Sequence, residues 1–296
     1  MKPFKVLFAT NFKEPVLDFL TALFDLKKVG LKEIILTHII PRDEVAYVPF
    51  GGYMKDEEER LREEAKINFE DWQKPISQAG IKSEICIEVG NTIPKIVEIA
   101  ETEKVKFIAA GHKKRTTLEK IVIGSHTLEL LRWNKKIPTL INKSPIHVEP
   151  GGEWVIQPSD HPFRRPLLAT DWSEISNKAL RFIASFKGAI DRVNVVHVIG
   201  LNIAKGINKT ELRRLERESK ERLETYCRYL KNAGIDAETH LLAGRTEEEI
   251  LRLSKELKST MIILGTTGKD RLSGFFLGSV SHRIAEISDR PTFLIP

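Results

Sequence analysis

The residues best placed to do chemistry are Gly265-Thr266-Thr267-Gly268, then, after nine intervening residues, Gly278-Ser279. Gly265 closes an apolar run that begins at Met261 and reads as a buried strand. Gly268 lets the chain turn and brings backbone N–H groups close to a ligand. Gly278-Ser279 opens a helical pattern, so free N–H groups, the helix dipole and a hydroxyl converge on one point, which suits a phosphate. A carboxylate, Asp171, directly follows another strand-like run, 166–170, and can accept hydroxyl or amino protons. Two plainer roles stay open: Asp171 as a turn cap with Ser173, and Ser279 as an N-cap. The chain has no Gly-x4-Gly-Lys-Ser/Thr loop. Asp270 and Asp171 are the nearby acids for a metal, and no general base for Ser279 is evident.

These residues need elements to hold them, and the chain spells those elements twice. Val6-Leu7-Phe8-Ala9-Thr10-Asn11-Phe12 parallels Leu167-Leu168-Ala169-Thr170-Asp171-Trp172, and Thr37-His38-Ile39 parallels Val196-His197-Val198. Gly90-Asn91-Thr92 parallels Gly244-Arg245-Thr246, Phe107 to Gly111 resembles Ile262-Ile263-Leu264-Gly265, and Gly124-Ser125 matches Gly278-Ser279. Pro138-Thr139-Leu140-Ile141 matches the stretch from Pro291 to Ile295. The order is the same in both halves, and the offset drifts only from 160 at Ala9/Ala169 to 154 at Gly124/Gly278. That is a duplicated domain, not a solenoid.

Within each copy, short apolar β-branched runs alternate with helical patterns. In the second copy strands are expected at 166–170, 193–199, 237–242, 261–265 and 292–295, and helices at 177–186, 208–233, 247–258 and 279–287. Thr246-Glu247-Glu248-Glu249 reads as a capping box for the third helix. Its counterpart starts at Thr92, with Pro94 in the first turn. This alternation predicts an α/β fold with two tandem doubly wound five-stranded parallel sheets. Ligands in such sheets sit beyond the carboxyl ends of the strands, which points to the loops after Thr170, Ile199 and Gly265. The expected organisation is one domain at 1–143, a proline-rich linker at 144–165 with a short extended piece near 153–157, and a second domain at 166–296.

Gly-x2-Gly-x9-Gly-Ser after the fourth strand, with Ala169-Thr170-Asp171 after the first and His197-Val198 in the second, resembles the universal stress protein family. The likeness spans both halves. It implies an adenine-nucleotide α-hydrolase-like, Rossmann-type fold that binds ATP or AMP, with or without magnesium. Carried onto this sequence, it puts Ala169, Thr170 and Asp171 at the adenine and ribose end and Val198 on the adenine through its backbone. Leu264 and Gly265 would lie near the ribose, and Gly268, Gly278, Ser279 and Val280 at the phosphates. It also implies pairing of the two domains through their last strands, and a further homodimer is compatible with it. The expected role is a nucleotide-binding stress-response regulator without efficient catalysis. A slow ATPase or nucleotidyl-transfer enzyme, and an interaction module whose glycine loop only shapes a turn, remain alternatives.

The first half departs from the pattern. Asn11 replaces Asp171, and Gly111-His112-Lys113-Lys114 replaces Gly-x2-Gly, although nine residues still separate Lys114 from Gly124. Lysine cannot follow a glycine-only backbone without strain and would crowd a phosphate. This half is expected to have lost tight nucleotide binding. Alternatively Lys113, Lys114 and Arg115 form a different anion site, flanked by His112 and His126. His38 and His197 are expected as satisfied strand histidines. The segment 41–55, with Tyr47, Phe50, Tyr53 and Met54, reads as a lid, a partner surface or a satellite core; 203–208 is its shorter equivalent.

Composition narrows the remaining classes. Charged residues are 30% and the net charge is +6, but both signs are interspersed, as in Asp56 to Glu64. That reads as an ion-paired surface, without the aromatic-studded basic strands that stack nucleic-acid bases. Cys86 and Cys227 stand far apart and outside any metal-binding spacing. No apolar run could cross a bilayer, and no secretory signal is evident at the start, so a cytoplasmic location is expected.

Overall fold

The computed structural model describes residues 2–12, 17–47, 52–111, 125–142, 146–148, 154–156, 161–267 and 278–296. The chain divides into two compact units, one ending at Asn142 and one running from Lys143 to Pro296. The first contains β1 (Phe4–Ala9), α1 (Leu17–Ala22), β2 (Leu31–Pro41), α2 (Arg42–Val45), β3 (Ala46–Tyr47), β4 (Gly52–Tyr53), α3 (Lys55–Gln78), β5 (Lys82–Gly90), α4 (Thr92–Thr102), β6 (Phe107–Ala110), α5 (Ser125–Trp133) and β7 (Thr139–Ile141). Its main sheet is parallel, in the order β7-β6-β1-β2-β5. Both faces are covered. Ile93, Ile96, Ile99 and Ala100 recur at helical spacing on α4 and pack with Leu7, Ile35 and Ile108. Phe8, on the opposite face of β1, meets the rings of Phe19 and Trp72.

The second unit contains β8 (Ile146–Val148), β9 (Trp154–Ile156), β10 (Pro166–Ala169), α6 (Glu174–Ala184), β11 (Arg192–Gly200), α7 (Leu201–Gly206), α8 (Lys209–Asn232), β12 (Asp236–Gly244), α9 (Thr246–Glu256), β13 (Met261–Gly265), α10 (Ser279–Ile287) and β14 (Thr292–Ile295). Its parallel sheet runs β12-β11-β10-β13-β14, the same topology as the first. β8 and β9 form a small antiparallel hairpin inside the stretch expected as linker. At the end of that stretch Phe163 is buried, with its ring 5.4 Å from Phe186 and 6.2 Å from Phe293. One aromatic side chain of the stretch expected as linker therefore belongs to the core of the second unit.

Two helix starts differ from expectation. α6 begins at Glu174, three residues before the expected Asn177, because Ser173 caps it by accepting the Ser176 N–H. Thr246 is not the cap of α9. Arg245 occupies that position without a side-chain bond, and Glu247, Glu248 and Glu249 supply negative charge against the dipole instead. The complete capping box lies on α8, between Asn208 and Glu211. The exposed helix faces carry i,i+3 and i,i+4 ion pairs, such as Arg60 with Glu57 and Glu64, and Arg252 with Glu249 and Glu256.

Candidate functional site

In both sheets the strand order reverses beside the first strand of the unit, between β1 and β6 and between β10 and β13. The switch point in the second unit brings together the loops after β10 and β13. Gly265 is what lets them approach. A Cβ there would lie 2.6 Å from Ile175 Cγ2, on the first turn of α6.

On the β13 side, the Gly278 N–H donates to the Thr266 carbonyl at 2.7 Å and closes the loop at its base. Ser281, 3% exposed, adds its hydroxyl to the same carbonyl at 2.7 Å and to the Gly278 carbonyl at 2.9 Å. A Cβ on Gly278 would meet the Thr266 oxygen at 3.3 Å, a tight contact that the glycine avoids. Gly278 is the N-cap of α10, which makes Ser279 the first helical residue and not the cap. The first-turn amides of Ser279, Val280 and Ser281 have no acceptor within the helix and carry its positive dipole end. Gly268 and Asp270 lie outside the described residues.

On the β10 side, Ala169 and Thr170 are buried and Asp171 is half-buried. The Asp171 Oδ1 accepts the Ser173 N–H at 3.0 Å and the Ser176 hydroxyl at 2.6 Å, so the turn-cap role is present in the geometry. Between them Trp172 holds a left-handed φ of 68°, unusual for a bulky residue. Its ring lies 4.6 Å from His197 and 5.4 Å from Tyr226. His197 Nδ1 is 2.8 Å from the Thr170 carbonyl, an acceptor, so Nδ1 carries the proton. Tyr226 accepts the Thr170 hydroxyl and donates to Asn177 at 2.6 Å, and burial raises its pKa, keeping it a donor. Val198 and Leu264 are buried near the ends of β11 and β13. The Val196 carbonyl takes the Thr170 N–H. By the two-residue period, the Val198 carbonyl faces the same side, beyond the end of β10.

The first unit repeats the frame but not the chemistry. Phe12 is left-handed at φ 59°, its N–H donates to the Thr10 hydroxyl, and His38 Nδ1 meets the Thr10 carbonyl at 2.9 Å. Asn11 stands at the acidic position. His112, Lys113, Lys114, Arg115 and Gly124 lie outside the described residues, and Ser125 opens α5.

A family model described as the universal stress protein family matches residues 4–141 and again 162–296. The chain belongs to the universal stress protein family. Universal stress protein MJ0577 of Methanocaldococcus jannaschii is 31% identical over 153 residues, 47% of this chain and 94% of that one. Universal stress protein YxiE of Bacillus subtilis is 27% identical over 146 residues, 45% of this chain and 99% of that one. Each of these relatives is about one unit long. The crystal structure of a universal stress protein from Archaeoglobus fulgidus matches the tandem form, covering 98% of this chain and 97% of its own at a TM-score of 0.71 and 23% identity. That shared fold is the Rossmann-type doubly wound one. Among the described residues no helix is long and apolar enough to cross a membrane. Nor do three or more His, Cys, Asp or Glu side chains gather as a metal site among them.

Sequence reasoning missed Ser176, Ser281 and Tyr226. A serine on the first turn of a helix looks like any polar surface residue. Only the fold shows that Ser176 faces Asp171 and that Ser281 faces the base of the glycine loop.

Proposed function

We propose that the second unit binds an adenine nucleotide, ATP or AMP, and that this universal stress protein acts by holding it and not by fast turnover. One observation carries the reading: two loops meet at the switch point, one bearing a carboxylate and the other closed by glycine onto a helix start. Asp171 suits ribose hydroxyls or the adenine amino group, and the Val198 peptide suits the adenine edge. The amides of Ser279 and Val280 suit phosphate oxygens, with Gly268 completing the turn. The first unit keeps the frame and lacks Asp171 and the second glycine, which favours binding in the second unit alone.

The test is thermal unfolding with ATP and with AMP, each with and without magnesium. A ligand at about 100 times its Kd should add roughly 2.7 kcal/mol. The shift should vanish in Gly268→Lys, which copies Lys114 into the second half. If no adenine nucleotide shifts wild type, the reading fails.

A further inference from the structure

We propose that Ser176 is a positioning residue that pins the Asp171 carboxylate and thereby makes the second unit prefer a nucleoside phosphate to a bare polyphosphate. The inference rests on the nucleotide reading above and names the residue that sets its selectivity. Asp171 precedes α6, so helical packing does not orient its carboxylate. Two donors do, the Ser173 N–H and the Ser176 hydroxyl, both on Oδ1. The 2.6 Å contact from Ser176 is short, as expected when a hydroxyl donates to a charged acceptor. Ser176 is itself fixed. It is 3% exposed, its oxygen accepts the Asp171 N–H at 3.3 Å, and it lies 3.2 Å from the Ser173 hydroxyl. The carboxylate plane cannot rotate without breaking this ring of bonds, so holding Oδ1 also sets where Oδ2 lies.

A plain capping role does not account for the ring. The first unit builds the same left-handed turn, with the same Thr10 and His38 bonds. Yet, aligned in sequence without a gap, Asn11 corresponds to Asp171 and Val16 to Ser176. Valine cannot donate a hydrogen bond. The sequence of the first copy thus lacks the Ser176 hydroxyl together with the acid that it holds in the second. The function of that hydroxyl belongs to the acid and not to the turn. Phosphates are held from the α10 side, so a loosened Asp171 should cost nucleoside recognition and leave phosphate capture alone.

The test is calorimetric titration of the full chain with ATP and, separately, with inorganic tripolyphosphate. Wild type, Ser176→Ala, Asp171→Asn and the double variant are compared. Ser176→Ala should weaken ATP binding about tenfold, the scale of one lost hydrogen bond to a charged group. Tripolyphosphate affinity should change less than about twofold by the same reasoning. In the Asp171→Asn background, Ser176→Ala should have no further effect, since the two residues act as one unit. If the alanine variant folds poorly, Ser176→Cys, nearly the same shape with a weak donor, carries the same test. Equal losses for both ligands, or a loss that persists without the Asp171 carboxylate, would show a merely structural role. Unchanged ATP binding in Ser176→Ala sinks this inference alone. Absence of ATP binding in wild type sinks the nucleotide reading and this inference with it.

Discussion

At the scale of single residues, Gly265 is where fold and site are least separable. The sequence marks it as the end of a buried strand; its φ is not left-handed, and the structure adds a role in close approach to Ile175. Gly265→Ala would place a methyl 2.6 Å from Ile175 Cγ2 and 3.3 Å from its Cβ, on a β-branched side chain whose χ1 rotation is restricted. Overpacking of this kind costs about 1–3 kcal/mol, and urea unfolding should show it. No fall in midpoint would mean that the two loops are not held by this contact. His240 makes a different prediction. Burial lowers its pKa, against a weaker opposing pull from Glu238, and its Nε2 lies 3.1 Å from Asn194 Oδ1. The folded state thus binds this proton more weakly than the unfolded chain does. The stability linked to His240 is complete above about pH 6.5 and is lost as pH falls below it. His240→Gln should flatten the acid side of a stability profile measured from pH 8 to 5. A variant that loses stability as steeply as wild type over that range would exclude the linkage.

At the scale of elements, most of the fold is legible because each run has one period and one job. β13 and β14 are continuous apolar runs and lie where those runs are. Both copies of the sheet are five-stranded, parallel and doubly wound, as the strand–helix alternation leads one to expect. The ends of elements are less legible, because caps are chosen by local geometry among several eligible residues. Thr246 with its three glutamates looks like a capping box, yet it lies inside α9, and Arg245 precedes it. Asn208 and Glu211 form the real box on α8. The two sites should therefore respond unequally. Asn208→Ala should lower stability by about 1 kcal/mol, whereas Thr246→Ala should stay within about 0.5 kcal/mol. Comparable losses at both sites, measured by urea unfolding, would mean that the Thr246 side chain caps after all. The candidate site divides along the same line. Asp171, Gly265, Gly278 and Ser279 stand out because few residue types do their work, while Ser176 and Ser281 become visible only once α6 and α10 are packed.

At the scale of the whole molecule, two copies of one topology have been kept with different chemistry at the same switch point. The first unit retains the costly left-handed aromatic at Phe12, the histidine bond to Thr10 and the paired strands. These features maintain a fold, and they do not require a ligand. The second unit has Asp171 with its serine tether where the first has Asn11, and Gly268 where the first has Lys114. If frame alone were enough, each chain would take up two nucleotides. If the acid and the second glycine are required, it takes up one. Calorimetric titration at protein concentrations well above Kd reads this number directly, and one adenine nucleotide per chain is the expected result. Gly268→Lys should bring the count to none while leaving the chain folded, because the substitution copies what the first half already carries at Lys114. Two sites of similar affinity in wild type would show that Asn11 and Lys114 are compatible with binding, and the frame shared by both units would then be the recognition element.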